Sequence, residues 1–289
     1  MASSHIQFTT SEAFWDHIDA VTSSAATQHV DALTFQGVSP QDLNGLIDER
    51  GTRGRGIRFR RFDTQEQILI VVIPGKPHER LHLNLYFEVR DEISLMGLRD
   101  AWNNDGATRF FRGQGHPGGD DADGDGDAGE PDSSGSPRQQ RGEREAWPTL
   151  VMEASGSSTL ADLRKDMRWW FSASGHQVKI VLLAKLDRPG REIILEKWVE
   201  TTPPPRPGPV TRAAARANTP YPVRAQEITI HWTPGMAAAI PASHVVTGGD
   251  LQLEFNLLFL RPPGPMEGDF LITTSRLQVW ASTVWEVVV

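Results

Sequence analysis

Three carboxylates stand at junctions between expected elements: Glu79 at a helix start, Asp132 near the end of a polar segment, and Glu153 at the end of an apolar strand. Glu153 follows Val151 and Met152 and precedes Ala154. An ionised carboxylate in such a run is costly to bury unless it meets a cation or hydrogen-bond donors. A shared divalent ion would supply one. Oxygen ligands without cysteine favour Mg²⁺ or Mn²⁺, which suit phosphoryl chemistry by activating a water and neutralising charge. The alternative is an ion pair of Glu153 with Arg164, Arg168 or Lys179.

Arg50, Arg53, Arg55, Arg58, Arg60 and Arg61 put six positive charges into twelve residues. A strand so charged could track a phosphate backbone, with Arg58 and Arg60 as the contacts. It could also be a solvated edge strand, or neutralise the acidic segment further along. Asp121, Asp123, Asp125, Gly126, Asp127 and Asp132 superficially follow a calcium loop, but no amphipathic helix flanks them and the twelfth position is Asp rather than Glu. His78 is a ligand or base candidate, or else simply a polar residue of a helix start. The Trp residues, Trp169 and Trp170 among them, read as core. No phosphate-cradling glycine loop, dinucleotide fingerprint or Gly-x-Ser-x-Gly elbow is present.

The elements that must position these groups follow from hydrophobic spacing. Phe14, Trp15 and Ile18 behind Ser11 predict one amphipathic helix, and Leu43, Leu46 and Ile47 a second over 40–50. Residues 56–62 alternate apolar with basic and 66–73 are mostly apolar, so the two read as a pair of strands, the first half-exposed and the second buried. Pro77 opens a helix with Leu81, Leu85, Val89 and Ile93 on its buried face. After it, 113–144 is rich in Gly, Asp, Ser, Pro and Gln and is expected to be largely disordered, since it has little apolar surface to offset ordering entropy. A short strand over 147–153, a helix over 159–171, and strands over 177–185 and 191–199 around a turn at 187–190 come next. A Pro-rich spacer at 201–209 leads to strands at 225–232 and 250–260. Helix is preferred for 275–285.

The 289 residues allow one large domain or two small ones. Net charge is −8, and without seven carboxylates between Asp120 and Asp132 it would be −1. That balance argues against coating nucleic acid by bulk electrostatics. Zero cysteines exclude disulfides, cysteine-type zinc sites and a thiol nucleophile. Neither a signal peptide nor a membrane span is expected, so the chain reads as intracellular, cytoplasmic or nuclear.

The segments 77–79, 131–134, 147–153, 163–170 and 177–180 together resemble a group of uncharacterised fungal proteins, themselves similar to restriction-endonuclease-like families of the PD-(D/E)XK superfamily. The resemblance runs in order from Arg58 to Trp198 and more loosely to Trp285. It implies an α/β fold: a mixed sheet flanked by helices, with metal carboxylates at the end of a central hairpin. Residues 1–50 would be a helical preface, 51–200 the core, and 201–289 a β-rich extension packed on it. Asp132 would match the Asp of the motif, Glu153 its second acid, and Glu79 the helix Glu that completes an Mg²⁺ or Mn²⁺ site. The motif lysine is missing. Relatives carry it on the following helix, where this chain has Asp166, with Lys165 adjacent and Lys179 on the next strand. Ala154-Ser155 also stands where the fungal proteins usually have Val-Gly. Two readings follow: an Mg²⁺-dependent nuclease with Lys165 as base or electrostatic partner and Asp166 as a further ligand or helix-neighbour partner, and an inactive nuclease-fold scaffold for protein or nucleic-acid binding.

Overall fold

The computed structural model describes residues 5–23, 30–54, 56–113, 126–203 and 219–288. The chain is mixed α/β, with mixed sheets flanked by helices. The strands are β1 (His5–Gln7), β2 (Ala32–Gln36), β3 (Arg58–Asp63), β4 (Ile68–Val72), β5 (Trp102–Asn104), β6 (Phe110–Phe111), β7 (Ala128–Gly129), β8 (Ser133–Pro137), β9 (Leu150–Ser155), β10 (Ile180–Asp187), β11 (Glu192–Thr201), β12 (Tyr221–Trp232), β13 (His244–Thr247), β14 (Leu251–Leu253) and β15 (Phe270–Ile272). A six-stranded sheet runs β1-β2-β4-β3-β7-β6 and a seven-stranded sheet β13-β12-β11-β10-β9-β8-β5. β14 pairs with β15.

Helices α1 (Ser11–Ser23) and α2 (Pro40–Arg53) cover one face of the first sheet. α2 starts on a capping box between Ser39 and Asp42, with Pro40 in its first turn, and ends on Gly54 in the left-handed region at φ 61°. Phe14, Trp15 and Leu43 meet Phe35, Phe59 and Leu69 in this core. The expected helical preface is therefore not separate. It contributes β1 and β2 to the sheet that β3 and β4 complete, and the boundary at residue 50 disappears.

The predicted helix from Pro77 onward is α3, made of Lys76–Glu79, a π-helical turn at Arg80–Asn84, and Leu85–Leu95. Its Leu81, Leu85, Val89 and Ile93 are all buried, as the spacing requires. α4 (Leu160–Ala173), capped by Thr159, links β9 to the parallel β10. In β9, Leu150, Met152 and Ala154 face the core shared with α3 and α6 (Thr274–Trp285), while Val151 faces α4. Alternation puts Glu153 on the α4 side too.

Three expectations need correction. Residues 126–144 are ordered: β7 and β8 lie there, and β8 is buried along its length because it pairs with both β5 and β9. Its backbone hydrogen bonds and packing do what its small polar side chains cannot. Gly135 lies against Tyr86 and Trp102, leaving no room for a larger side chain. The strand expected over 250–260 splits into β14 and a short helix, α5 (Phe255–Phe259), whose Phe255 and Phe259 stack on each other. β12 begins at Tyr221, earlier than its apolar pattern. The hairpins, α4 and α6 agree with their periodicity. Most of the Pro-rich spacer and the run from Gly118 to Asp125 lie outside the described residues. No helix among the described residues is long and apolar enough to cross a membrane.

Candidate functional site

The site lies where the first sheet meets the β8–β9 end of the second. Asp132 immediately precedes β8, and its backbone N–H donates to Met152 O at 3.2 Å, which holds it beside Glu153. The same carboxylate accepts from the Ala154 N–H at 2.8 Å. Asp132 and Glu153 are thus brought together by strand pairing, and both are buried.

Between them lies Arg60. Its Nη2 donates to Ala154 O at 2.6 Å and approaches Asp132 Oδ2 at 3.4 Å, while Nε lies 3.3 Å from Glu153 Oε2. The reason is local. The β3–β4 register shifts between Phe59 and Arg61, a bulge at Arg60. Phe59 and Phe62 both join the first core, and Arg60 is aimed inward with 1% of its side chain exposed.

Glu79 and Asp132 are joined by a second arginine. Arg58 contacts Glu79 Oε1 at 2.9 Å and Asp132 Oδ1 at 3.5 Å. The three predicted carboxylates are therefore strung along two guanidiniums rather than gathered on one point. Arg58 and Arg60, expected on a phosphate backbone, point into this network instead. Arg50 and Arg109 both bind Glu130, and Arg61 binds Asp166. Among the described residues, Arg50, Arg58, Arg60 and Arg61 of the arginine cluster are thus paired with Glu130, Glu79, Asp132 and Asp166.

Lys165 is not part of the centre. Its Nζ pairs with Asp162 at 2.8 Å and its side chain is 59% exposed. It lies on the rim of a cavity of about 330 Å³ that also touches Arg60, Arg61 and Asp166. Lys179 donates to His176 O. Glu153 binds neither Arg164 nor Lys179; its Oε1 accepts from Trp170 Nε1 at 2.7 Å, and Arg164 pairs with Glu196. Asp166 is buried and faces β3 rather than a helix neighbour. Asp127 of the calcium-like run pairs with Arg112 and Thr64, and Asp121 to Asp125 fall outside the described residues.

Three participants were not singled out in the sequence. Asp31, just before β2, binds Ser155 Oγ at 2.7 Å and the backbone N–H groups of Gly156 and Ser157. His82 meets Ser133 Oγ at 2.9 Å. Lys185 on β10 is in register with Ser155 and donates to Gly156 O at 2.7 Å. The His78 and His82 pair one helical turn apart is a signal that spacing alone contains. Asp31 has none, because Ser155, Gly156 and Ser157 lie over a hundred residues away and His78 is 47 positions on.

Charge is divided unequally. Burial raises Glu153 first, and the Asp132 charge pushes it further, well above the carboxylate range despite Arg60. Burial alone would raise Asp132 too, but His78 and Arg60 overcome it and hold Asp132 well below that range. Asp132 thus carries the negative charge and Glu153 the proton. His78 bridges Asp132 (3.1 Å) and Asp31 (3.6 Å). Burial opposes its charge, yet these two carboxylates push it up to about 9. In His82 burial dominates and lowers the imidazole, favouring the neutral form. Asp166 is raised by burial.

No protein-family model matches the chain, and no curated protein does.

Proposed function

We propose that the chain is a non-catalytic scaffold built on a restriction-endonuclease-like core, with the place of the catalytic cation taken by Arg60. One observation carries the reading: Asp132 Oδ2, Ala154 O and Glu153 Oε2, three oxygens of the kind Mg²⁺ binds, all surround the same guanidinium. The reading is supported by β8 and β9, an antiparallel pair with Asp132 and Glu153 at one end, flanked by α3 and α4. Where the relatives carry the motif lysine this chain has Asp166, which pairs with Arg61. A buried guanidinium among these three oxygens leaves no open position for a water on a metal.

The partner of such a scaffold is a protein rather than a polynucleotide. The net charge is −8, and Arg50, Arg58, Arg60, Arg61 and Arg109 are held in ion pairs. The active-nuclease reading draws on the same strands and needs Arg60 to leave. The test is phosphodiester cleavage of plasmid DNA, single-stranded DNA and RNA with Mg²⁺ and with Mn²⁺. The expected result is no cleavage above that of Asp132→Asn. Metal-dependent cleavage lost in both Asp132→Asn and Glu153→Gln would overturn the proposal.

A further inference from the structure

α3 also carries a histidine–carboxylate cluster that shares His78 with the carboxylate site. His78 and His82 are four residues apart, and Glu79 lies between them in sequence. One ligand atom of each of the three lies within 4.8 Å of the others. His82 Nε2 is 3.4 Å from Glu79 Oε1 and has no hydrogen-bond partner among the described residues, although the side chain is 2% exposed. Its Nδ1 meets Ser133 Oγ. With Nδ1–H donated to that hydroxyl, Nε2 presents a lone pair, the usual arrangement behind a metal-bound imidazole. The His-Glu-x-x-His spacing, with two imidazoles a turn apart on one helix, is a zinc-gripping pattern. The π-helical turn begins inside it, at Arg80.

A cation already stands in the cluster. Arg58 Nη2 binds Glu79 Oε1 at 2.9 Å, and its Nη1 lies 3.4 Å from His78 Nε2. Unlike Arg60, Arg58 keeps 17% of its side chain exposed and can swing out without burying or stranding its charge. A cavity of about 320 Å³ lined by Asp31, Gly75, Pro77, His78 and Arg188 adjoins the histidine and offers an entry path.

We propose that His78, Glu79 and His82 bind one transition-metal ion of the zinc class, and that this ion and the Arg58 guanidinium are alternative occupants of the cluster. Two imidazoles and a carboxylate select Zn²⁺, Co²⁺ or Ni²⁺ over Mg²⁺. The inference stands on residues other than Arg60 and does not depend on whether the core cleaves nucleic acid.

The test is titration of the full chain with Co²⁺, followed by its visible ligand-field absorption and displaced by Zn²⁺. The expected result is one equivalent with a tetrahedral spectrum. Arg58→Ala should bind at least tenfold more tightly, His82→Ala should lose binding by roughly 10–100-fold or more, and excess Mg²⁺ should not compete. Arg58 lies at the edge of the site, so its arm stands even if His82→Ala fails to fold. No Co²⁺ spectrum in Arg58→Ala, affinity unchanged by Arg58→Ala, or a spectrum that survives in folded His82→Ala overturns the proposal.

Discussion

Replacing Arg60 with Ala separates a guanidinium that substitutes for a metal from one that is merely buried. The side chain is 1% exposed and its cationic head faces Asp132, Glu153 and the Ala154 carbonyl. Its removal leaves the Asp132 carboxylate with His78 and the distant half of Arg58. Removing one partner of a buried ion pair costs about 3–5 kcal/mol. For a chain of this size each kcal/mol moves the midpoint by about 2 °C, so thermal unfolding should fall by roughly 6–10 °C. The same substitution opens the three-oxygen position. Mg²⁺ at a hundred times its Kd would then restore about 2.7 kcal/mol, or about 5 °C. Mg²⁺ is preferred to Mn²⁺ because imidazoles bind it poorly. Differential scanning fluorimetry of wild type, Arg60→Ala and Arg60→Ala/Asp132→Asn, each with and without Mg²⁺, reads the effect. An equal rise in wild type, no rise in Arg60→Ala, or a rise that persists in the double variant would refute the reasoning.

The remaining predictions follow from the same network and its packing. Glu153→Gln should match wild type within about 1 kcal/mol near pH 4, where the carboxyl is protonated in both folded and unfolded chains and the amide oxygen can still accept from Trp170; a loss near that of Arg60→Ala in chemical denaturation at that pH would contradict this. Because the folded pKa of Glu153 is raised, wild type should lose stability relative to Glu153→Gln as pH climbs above the ordinary 4.5. His78 has the same sign: its stabilisation is complete below about 6.5 and lost as pH rises through about 9, so urea midpoints between pH 6 and 10 should fall more steeply in wild type than in His78→Gln. Gly135→Ala should destabilise by about 1–3 kcal/mol, since the added carbon meets the Tyr86 hydroxyl and the Trp102 ring; an unchanged melting temperature would show that β8 can shift.

Much of the framework was legible before the fold was known. Leu81, Leu85, Val89 and Ile93 described the buried face of α3, and the apolar run at 68–72 described β4. Periodicity works there because one side of each element meets a continuous core. It failed at β8, where Ser133, Ser134 and Ser136 are buried through strand pairing that composition cannot express. It also missed the consequence of the Arg60-Arg61 doublet. Two consecutive basic residues inside a strand interrupt alternation, and that interruption is the bulge.

By itself the amino-acid sequence determined the apolar stripes, the caps and the positions of the acidic residues, since these depend on neighbours within a few residues. Tertiary structure alone decided which charge met which. Asp31 reached Ser155 and Gly156, Arg60 reached Ala154, and Glu153 kept a proton that Asp132 gave up. Such outcomes depend on burial and on distances between residues far apart in the sequence or brought together by strand pairing, because a charge that loses its water takes its state from whatever the fold sets beside it.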